Sequence, residues 1–334
     1  MGMDGTATVV KHTGSHYLLA QLPSWRLFPA VLRGKVRLKG SSATNPVAVG
    51  DRVEFYAGGE LLPDGSVPAT EAAPAVITTI LPRRNYIIRK SVNLSRQAHI
   101  IAANVDRAFI IVTLAFPEVK LPFIDRLLVT CEVYGVKPIL VLNKIDIVDE
   151  FRDDFAPALE NFHRIYESAG YSILEVSAKT GRGVEELRSL CLEKSEDGAP
   201  GISLFSGVSG VGKSSLIKAM DPSLNPKTGL ISEAHLQGRH TTTFYEMYPL
   251  CGGEGGIIDT PGIRGFGLVD LEPEEISLYF PEMLKASENC RFTPCTHTHE
   301  PGCAVKSAVG EGTISSERYA SYLGMLEEYT KYRK

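Results

Sequence analysis

The stretch Gly207-Val-Ser-Gly-Val-Gly-Lys-Ser214 matches the pattern G-x-x-x-x-G-K-[ST] at every fixed position. The residues before it, Gly201-Ile-Ser-Leu-Phe-Ser206, are typical of a buried strand, and Ser215-Leu-Ile-Lys-Ala219 is typical of a helix start. A strand before and a helix after are the context in which this pattern forms a phosphate-binding loop. We therefore predict a nucleotide-binding α/β domain built around residues 201–219.

The composition of the loop also predicts how it holds phosphate. Its glycines let backbone N–H groups and the helix N-terminus point at phosphate oxygens. Lys213 would reach the β- and γ-phosphates and act in catalysis, and the Ser214 hydroxyl would bind Mg²⁺. The predicted nucleotide contacts in this loop are Gly207, Val208, Ser209, Gly210, Val211, Gly212, Lys213, Ser214 and Ser215.

Two further motifs predict that the base is guanine. Asn143-Lys144-Ile145-Asp146 directly follows the apolar run Ile139-Leu-Val-Leu142, and ligands of open α/β sheets bind at the carboxyl ends of strands. The Asp146 carboxylate can accept two parallel hydrogen bonds from guanine N1–H and its 2-amino group, a donor pair that adenine lacks. Asn143 would contact the purine edge and the Lys144 stem would stack on the ring.

The second motif is Ser177-Ala178-Lys179, which ends the next predicted strand, Ser172-Ile-Leu-Glu-Val176. A backbone N–H of this segment could meet the guanine oxygen. The motif is short, so it contributes to the guanine prediction only together with Asn143, Lys144 and Asp146.

A third set of residues points to Mg²⁺ and the γ-phosphate. Asp259-Thr-Pro-Gly262 follows the apolar pair Ile257-Ile258, so Asp259 would hold Mg²⁺ through water and the Gly262 N–H would contact the γ-phosphate. Upstream, Gly238-Arg-His-Thr-Thr-Thr243 supplies hydroxyls for a switch segment. We predict Thr242 as the Mg²⁺ ligand among them.

The residue after Gly262 leaves the mechanism of hydrolysis open. Many GTP-hydrolysing proteins use Gln to orient the attacking water, whereas Ile263 stands here and has no polar group. Either hydrolysis is poor or another side chain orients the water. His240 is the candidate, although a histidine in such a segment can also simply face solvent.

These motifs occur in an unusual order. The usual order is phosphate loop, switch threonine, D-x-x-G, N-K-x-D and S-A-K, but here Asn143 and Ser177 precede Gly207, Thr242 and Asp259. Joining the ends of such a domain and cutting it elsewhere produces this order, so the sequence predicts a circularly permuted GTPase domain over residues 93–268.

Composition sets broader limits. The chain has 334 residues, 43% hydrophobic and 22% charged, which is ordinary for a soluble globular protein of two or three domains. It has no apolar run near the ~20 residues of a membrane span and no signal-peptide pattern at its start. We expect a cytoplasmic protein without membrane contact, and a monomer, because nothing indicates an obligate dimer.

The N-terminal part differs in charge and pattern from the rest. Residues 1–98 contain 12 Lys or Arg against 6 Asp or Glu, and the remainder contains 23 against 33. Five short strand-like runs in the first ~90 residues predict an OB-fold barrel over 1–92, with another small β-barrel as the alternative. Basic residues beside aromatic ones favour RNA binding, although core packing explains the aromatic ones equally well. These residues are Arg26, Arg33, Lys35, Arg37 and Lys39, with Tyr17, Trp25 and Phe28.

The C-terminal part, residues 269–334, is predicted to be helical around a metal site. Cys290, Cys295, His297 and Cys303 form the pattern C-x4-C-x-H-x5-C. Three thiolates and one imidazole are a preferred set for closed, structural Zn²⁺, one ion per chain. His299 in place of His297 is one alternative, and free thiols or a disulfide is another.

The barrel, the permuted GTPase domain and the zinc pattern together resemble the bacterial family of ribosome small subunit-dependent GTPase A (RsgA, also called YjeQ). The resemblance spans essentially the whole chain and includes Ile100-Ile-Ala-Ala-Asn-Val-Asp106, Gly238-Arg-His-Thr-Thr-Thr243 and Asp259-Thr-Pro-Gly-Ile-Arg264. It implies a factor for late maturation of the 30S subunit with weak GTP hydrolysis that the subunit stimulates. The barrel and zinc domain would hold 16S rRNA, nucleotide state would control release, and His240 would serve in hydrolysis. Two rivals remain, a signalling GTPase and an RNA-binding module with negligible turnover.

Overall fold

The N-terminal strands form a closed five-stranded barrel. The computed structural model describes residues 2–13, 16–32, 46–90, 98–224, 245–260 and 271–332. The barrel strands are β1 (Gly2–Thr13), β2 (His16–Gln21), β3 (Arg26–Leu32), β4 (Arg52–Gly58) and β5 (Ala75–Ile80). Their order is β1-β2-β3-β5-β4, and β4 pairs back onto β1 to close the barrel. The predicted OB-fold barrel is thereby confirmed. The third strand begins four residues earlier than the predicted start at Ala30, and its predicted continuation past Leu32 lies outside the described residues.

The interior of the barrel contains two of the aromatic residues considered for RNA binding. Phe28 and Tyr17 are buried, and the Phe28 and Phe55 rings pack at a tilt of 54° with centroids 4.8 Å apart. Trp25 donates from Nε1 to the Gly253 carbonyl at 3.1 Å and so faces the α/β domain. Core packing is therefore the correct interpretation of Phe28 and Tyr17. Of the associated basic residues, Arg33, Lys35, Arg37 and Lys39 lie outside the described residues.

A hairpin that the sequence analysis did not predict follows the barrel. It consists of β6 (Tyr86–Lys90) and β7 (Ala98–Ala103), which pair antiparallel as a separate two-stranded sheet. Its residues Ile87 and Ile101 are fully buried in the large core. The hairpin thus leads the chain from the barrel into the α/β domain.

The α/β domain has a six-stranded sheet in the order β10-β9-β8-β11-β13-β12. Its strands are β8 (Arg107–Val112), β9 (Lys137–Leu142), β10 (Ile173–Glu175), β11 (Gly201–Ser206), β12 (Glu246–Leu250) and β13 (Gly255–Asp259). The first five in this order are parallel, and β12 is antiparallel to β13. Strand β11 is buried throughout, as expected of a sheet covered on both faces. The carboxyl ends of the parallel strands meet at one edge, where the predicted nucleotide motifs begin.

The helices of this domain match the predicted alternation. They are α1 (Leu121–Val133), α2 (Ile145–Glu150), α3 (Arg152–Ser168), α4 (Val184–Leu192) and α5 (Lys213–Met220). Strand β12 also pairs with barrel strand β1 at Lys11 and Glu246, whose side chains form an ion pair at 3.0 Å. The barrel and the α/β sheet are therefore continuous through this edge.

The C-terminal part has its own small core. A 3-10 helix (Pro273–Tyr279) stands where a helix start was predicted, and the Glu275 carboxylate accepts from the Glu272 N–H at 2.9 Å. It is followed by α6 (Pro281–Ser287), α7 (Ala304–Gly310) and α8 (Ser316–Tyr332). Ile276, Phe280 and Tyr322 are buried together in this core.

Arg318 joins this C-terminal core to the α/β domain. Its guanidinium is completely buried and donates to Asp125 of α1 at 2.9 Å and to Glu282 of α6 at 2.8 Å. The Phe280 ring lies 4.6 Å from the guanidinium carbon. Burial raises the pKa of the Asp125 carboxyl despite the nearby guanidinium. Removing one partner of such a network leaves the others charged and unpaired.

We therefore expect Arg318→Met to lower the free energy of unfolding by about 3–5 kcal/mol, the usual cost of breaking a buried ion pair. Urea titration followed by circular dichroism measures this. Arg126→Met is the matched control, because Arg126 pairs with the half-exposed Glu328 on the surface between the same two helices, α1 and α8. It should cost less than about 1 kcal/mol. An equal loss of unfolding free energy in the two variants would contradict the conclusion that Arg318 stabilises the contact between the C-terminal core and the α/β domain.

Candidate nucleotide-binding site and metal centre

The predicted phosphate loop connects β11 to α5, which begins at Lys213. Gly210 and Gly212 have positive φ angles of 88° and 95°, a backbone conformation that side chains disfavour. A Cβ atom on Gly212 would lie 2.4 Å from Asn143 Nδ2. The loop thus requires glycine both for its backbone shape and for its close approach to the guanine motif.

The charges of Lys213 and Asp259 attract one another inside the site. Lys213 is buried, and its Nζ donates to the Gly207 carbonyl at 2.7 Å. Burial lowers the pKa of Lys213, and Asp259 opposes that shift. Burial likewise raises the pKa of Asp259, opposed by Lys213. Both charges are thus held in surroundings that disfavour them, as expected where a ligand supplies the missing solvation.

The surroundings of Asp259 also fit a residue that helps to hold Mg²⁺. Its Oδ1 is buried and has no hydrogen-bond partner among the described residues, although buried polar atoms are nearly always paired. Carboxylate and hydroxyl oxygens suit Mg²⁺, which retains several of its waters. Ser214, the second residue of α5, is half-buried. The residues present at this end of the sheet therefore fit a hydrated Mg²⁺ ion.

Asn143 holds two loops of the site together. Its Nδ2 donates to the Val211 carbonyl at 2.8 Å, and its Oδ1 accepts from the Ala178 N–H at 3.3 Å. The side chain is 2% exposed. Asn143 thus links the phosphate loop to the 177–179 segment, and its contact with the purine edge stays a prediction.

Lys144 extends along the phosphate loop. Its φ angle is 64°, and its Nζ donates to the Gly210 carbonyl at 2.8 Å and to the Phe116 carbonyl. The end of the Lys144 side chain is thereby anchored to the phosphate loop and to the loop that carries Phe116. The stacking of the Lys144 stem on the base stays a prediction.

Asp146 lies in the first turn of α2, beside the 177–179 segment. Its Oδ1 accepts from the Ser177 hydroxyl at 2.6 Å, and its Oδ2 lies 3.7 Å from Lys179 Nζ. The side chain retains 14% exposure. The Ser177 hydroxyl therefore orients the carboxylate that is predicted to read the base, a role that sequence analysis missed because 31 residues separate the two.

Some predicted residues cannot be placed. The segment from Gly238 to Thr243, with His240 and Thr242, lies outside the described residues, as do Gly262 and Ile263. Their assigned roles in Mg²⁺ binding, γ-phosphate contact and hydrolysis stay predictions. Among the ranges that the structure does describe, no helix is both long enough and apolar enough to cross a membrane.

The predicted metal ligands converge in the C-terminal part. One donor atom each from Cys290, Cys295, His297 and Cys303 lies within 4.8 Å of the others. His297 Nδ1 is 3.4 Å from Cys303 Sγ and 3.7 Å from Cys290 Sγ. Tetrahedral Zn²⁺ with bonds of about 2.0–2.3 Å separates its ligand atoms by roughly 3.3–3.8 Å, close to these distances, so this set fits zinc.

The same geometry bears on two of the alternatives for this cluster, a disulfide and ligation by His299. The Cys290 and Cys303 sulfurs are 3.9 Å apart and all six cysteines are free, which excludes a disulfide. His299 is exposed and its Nδ1 contacts the Thr298 hydroxyl, so His297 completes the set. The Tyr319 and Tyr322 hydroxyls donate to backbone carbonyls of the loop at 2.6 Å and fasten it to α8.

The fold and the site define a class of protein. The phosphate loop and the two aspartates that are predicted to read guanine and to hold Mg²⁺ lie at one sheet edge, in the order along the chain that a permuted domain produces. These features are those of a circularly permuted GTPase. A sequence profile of the RsgA GTPase family matches residues 80–269, more than half of the chain. The chain belongs to this family, and it is a GTPase.

Relatives of known name match over nearly the full length. Small ribosomal subunit biogenesis GTPase RsgA of Flavobacterium johnsoniae is 46% identical over 322 residues, covering 96% of this chain and 93% of the relative. The protein of the same name from Bacteroides fragilis is 47% identical over 327 residues, covering 97% and 98%. The similarity therefore includes the barrel and the C-terminal part as well as the GTPase domain.

Two solved structures share the architecture. YjeQ from Thermotoga maritima matches with a TM-score of 0.72 and 33% identity over 98% of each chain. YloQ, described as a circularly permuted GTPase, matches with a TM-score of 0.69 over 99% of this chain and 96% of that one. At 23% identity, the second likeness supports the fold alone.

Proposed function

We propose that this GTPase acts in late maturation of the small ribosomal subunit, binding 16S rRNA and leaving the particle when GTP is hydrolysed. The observation that carries the proposal is the full-length similarity to relatives named small ribosomal subunit biogenesis GTPases. A signalling GTPase would share only the GTPase domain with them. The protein is a monomer of the cytoplasm in this proposal.

The proposed domains are 1–92, 93–268 and 269–334. Buried clusters of the structure support this division, because the barrel core draws on residues 7–80 and the C-terminal core mainly on residues 271–325. Zinc, one ion per chain on Cys290, Cys295, His297 and Cys303, stabilises the third domain. It has a structural role because four protein ligands leave no position for water.

In the proposed nucleotide complex, residues at the edge of the sheet bind different parts of the nucleotide and its metal ion. Lys213 and the loop N–H groups bind the phosphates, Asp146 reads the base, and Ser214, Thr242 and water on Asp259 hold Mg²⁺. The ion neutralises the charge that develops on the phosphate oxygens during transfer. His240 orients the attacking water. Many GTPases use a glutamine for this role at the position where this chain has Ile263.

Contacts between the barrel and the GTPase sheet support control of RNA binding by nucleotide state. Lys11 of β1 pairs with Glu246 at the start of β12, and β12 pairs with β13, which ends at Asp259. Trp25 packs closely on Gly253, where a Cβ atom would lie 1.9 Å from the Trp25 ring. A change at the γ-phosphate end of β13 can therefore reach the barrel through two strands.

Hydrolysis assays with and without purified 30S subunits test the proposal. We expect at least about tenfold stimulation, a small part of what completing a GTPase site in trans can supply. Purified 50S subunits and a Lys213→Ala variant are the controls, and neither should show the stimulated rate. Equal rates with and without 30S subunits would favour an RNA-binding module with negligible turnover.

A further inference from the structure

Phe116 is an exposed aromatic residue beside the nucleotide site. It lies in the loop between β8 and α1, and 74% of its surface is accessible, more than for any other large hydrophobic residue in the part of the chain that the structure describes. Its φ angle is +49°, in the left-handed region where a bulky side chain is strained. Both its exposure and its backbone conformation thus carry an energetic cost.

The loop that carries Phe116 is fastened to the residues that bind the nucleotide. The Phe116 carbonyl accepts from Lys144 Nζ, which also donates to the Gly210 carbonyl at 2.8 Å. The next residue, Pro117, lies against the phosphate loop, since a Cβ atom on Gly210 would be 3.3 Å from Pro117 Cδ. The Pro117 carbonyl accepts from the buried Thr113 hydroxyl at 2.5 Å. The backbone of the loop is therefore held on both sides.

A strained, exposed aromatic residue held in this way indicates a ligand contact. Residues in sparsely populated backbone regions persist only where their surroundings hold them, and they cluster at ligand clamps. Lys144 is the residue predicted to stack on the base, and its Nζ donates to the Phe116 carbonyl, so Phe116 lies beside the predicted nucleoside end of the site. Aromatic rings pack well on bases and sugars, which have an apolar face of matching size.

We propose that the Phe116 ring packs on the nucleoside part of the bound guanine nucleotide, beside the Lys144 stem, and is a determinant of affinity for it. The inference rests on the proposed nucleotide site and adds a contact to it. It assigns the 113–117 loop as the nucleoside-facing wall of that site.

Phe116→Gly removes the ring and keeps the backbone, because glycine adopts positive φ without strain. We expect GDP to bind about tenfold more weakly, within the range for removing one aromatic stacking partner, by isothermal titration calorimetry. The unfolding temperature without nucleotide should be unchanged or higher. Phe116→Tyr should bind GDP as the parent does. Phe292→Ala, at a half-exposed phenylalanine of the zinc loop, is the control and should also leave GDP affinity unchanged.

The outcomes separate this inference from the proposed site. No GDP binding by the parent protein would refute the site itself. Binding by the parent with equal affinity in Phe116→Gly would refute the inference alone. Competition by inorganic pyrophosphate adds a further check, since its affinity should be the same in both proteins. An equal weakening of pyrophosphate would show that Phe116 acts on the phosphate loop and would overturn the nucleoside contact.

Discussion

An Asp146→Asn variant should exchange guanine preference for xanthine preference. In the proposed site the carboxylate would accept from guanine N1–H and its 2-amino group, whereas an amide can donate to the 2-oxo group that xanthine carries instead. A site that loses such a buried hydrogen-bond pair rejects its former ligand by a large factor, so we expect GDP affinity to fall by at least about 100-fold. Xanthosine diphosphate should then bind more tightly than GDP. Calorimetric titration of both nucleotides measures the exchange.

The chain offers a matched control for this substitution. Asp149 lies one turn further along α2 and pairs with Arg182 at 2.6 Å on the surface, so Asp149→Asn makes the same change in charge outside the base pocket. Nucleotide preference should be unaffected there. In the Asp146→Asn variant, the amide oxygen can still accept from the Ser177 hydroxyl, which now holds Asp146 at 2.6 Å. Unchanged preference for GDP in that variant would refute guanine reading by Asp146.

Loss of a zinc ligand should have the largest effect on folding. Structural zinc contributes about 10–16 kcal/mol of apparent binding free energy in small zinc domains, and the C-terminal core is small. Cys303 is 4% exposed, and its sulfur also accepts from the Lys306 N–H at the start of α7. We expect Cys303→Ser to lose bound zinc, from one ion per chain to near zero. The helical signal of the C-terminal part should melt at a much lower temperature.

Metal content and circular dichroism measure the two effects. Cys251→Ser is the control, because Cys251 lies outside the cluster and is only partly buried. That variant should keep its zinc and its melting temperature. One zinc ion per chain retained by Cys303→Ser would mean that this thiolate is not a ligand.

Features encoded by neighbouring residues could be predicted from the sequence. The phosphate loop and the zinc pattern each occupy one short segment of the chain, so their spacing alone limits the geometry. The alternation of apolar runs and amphipathic stretches predicted the α/β sheet, because hydrophobic periodicity follows the local conformation. The order of the motifs predicted the permutation, because it depends only on position along the chain.

Contacts between distant residues could not be predicted in this way. Phe28 beside basic residues has the composition of an RNA surface, and only the closed barrel directs its ring inward against Phe55. Arg318 has no local feature that distinguishes it from a solvated helix residue. Its partner Asp125 is 193 positions away, and burial there depends on how α8 packs on α1.

By itself, the sequence determined which chemical groups this protein offers: a phosphate loop, a carboxylate in the N-K-x-D motif, a permuted order of motifs and a thiolate-rich metal pattern. Only the tertiary structure decided how those groups are held. It links Asn143 to two loops, orients Asp146 with Ser177 and leaves Phe116 exposed beside Lys144. The physical reason is that residue type and spacing specify what a group can bind, whereas packing of distant segments specifies its direction and its solvation.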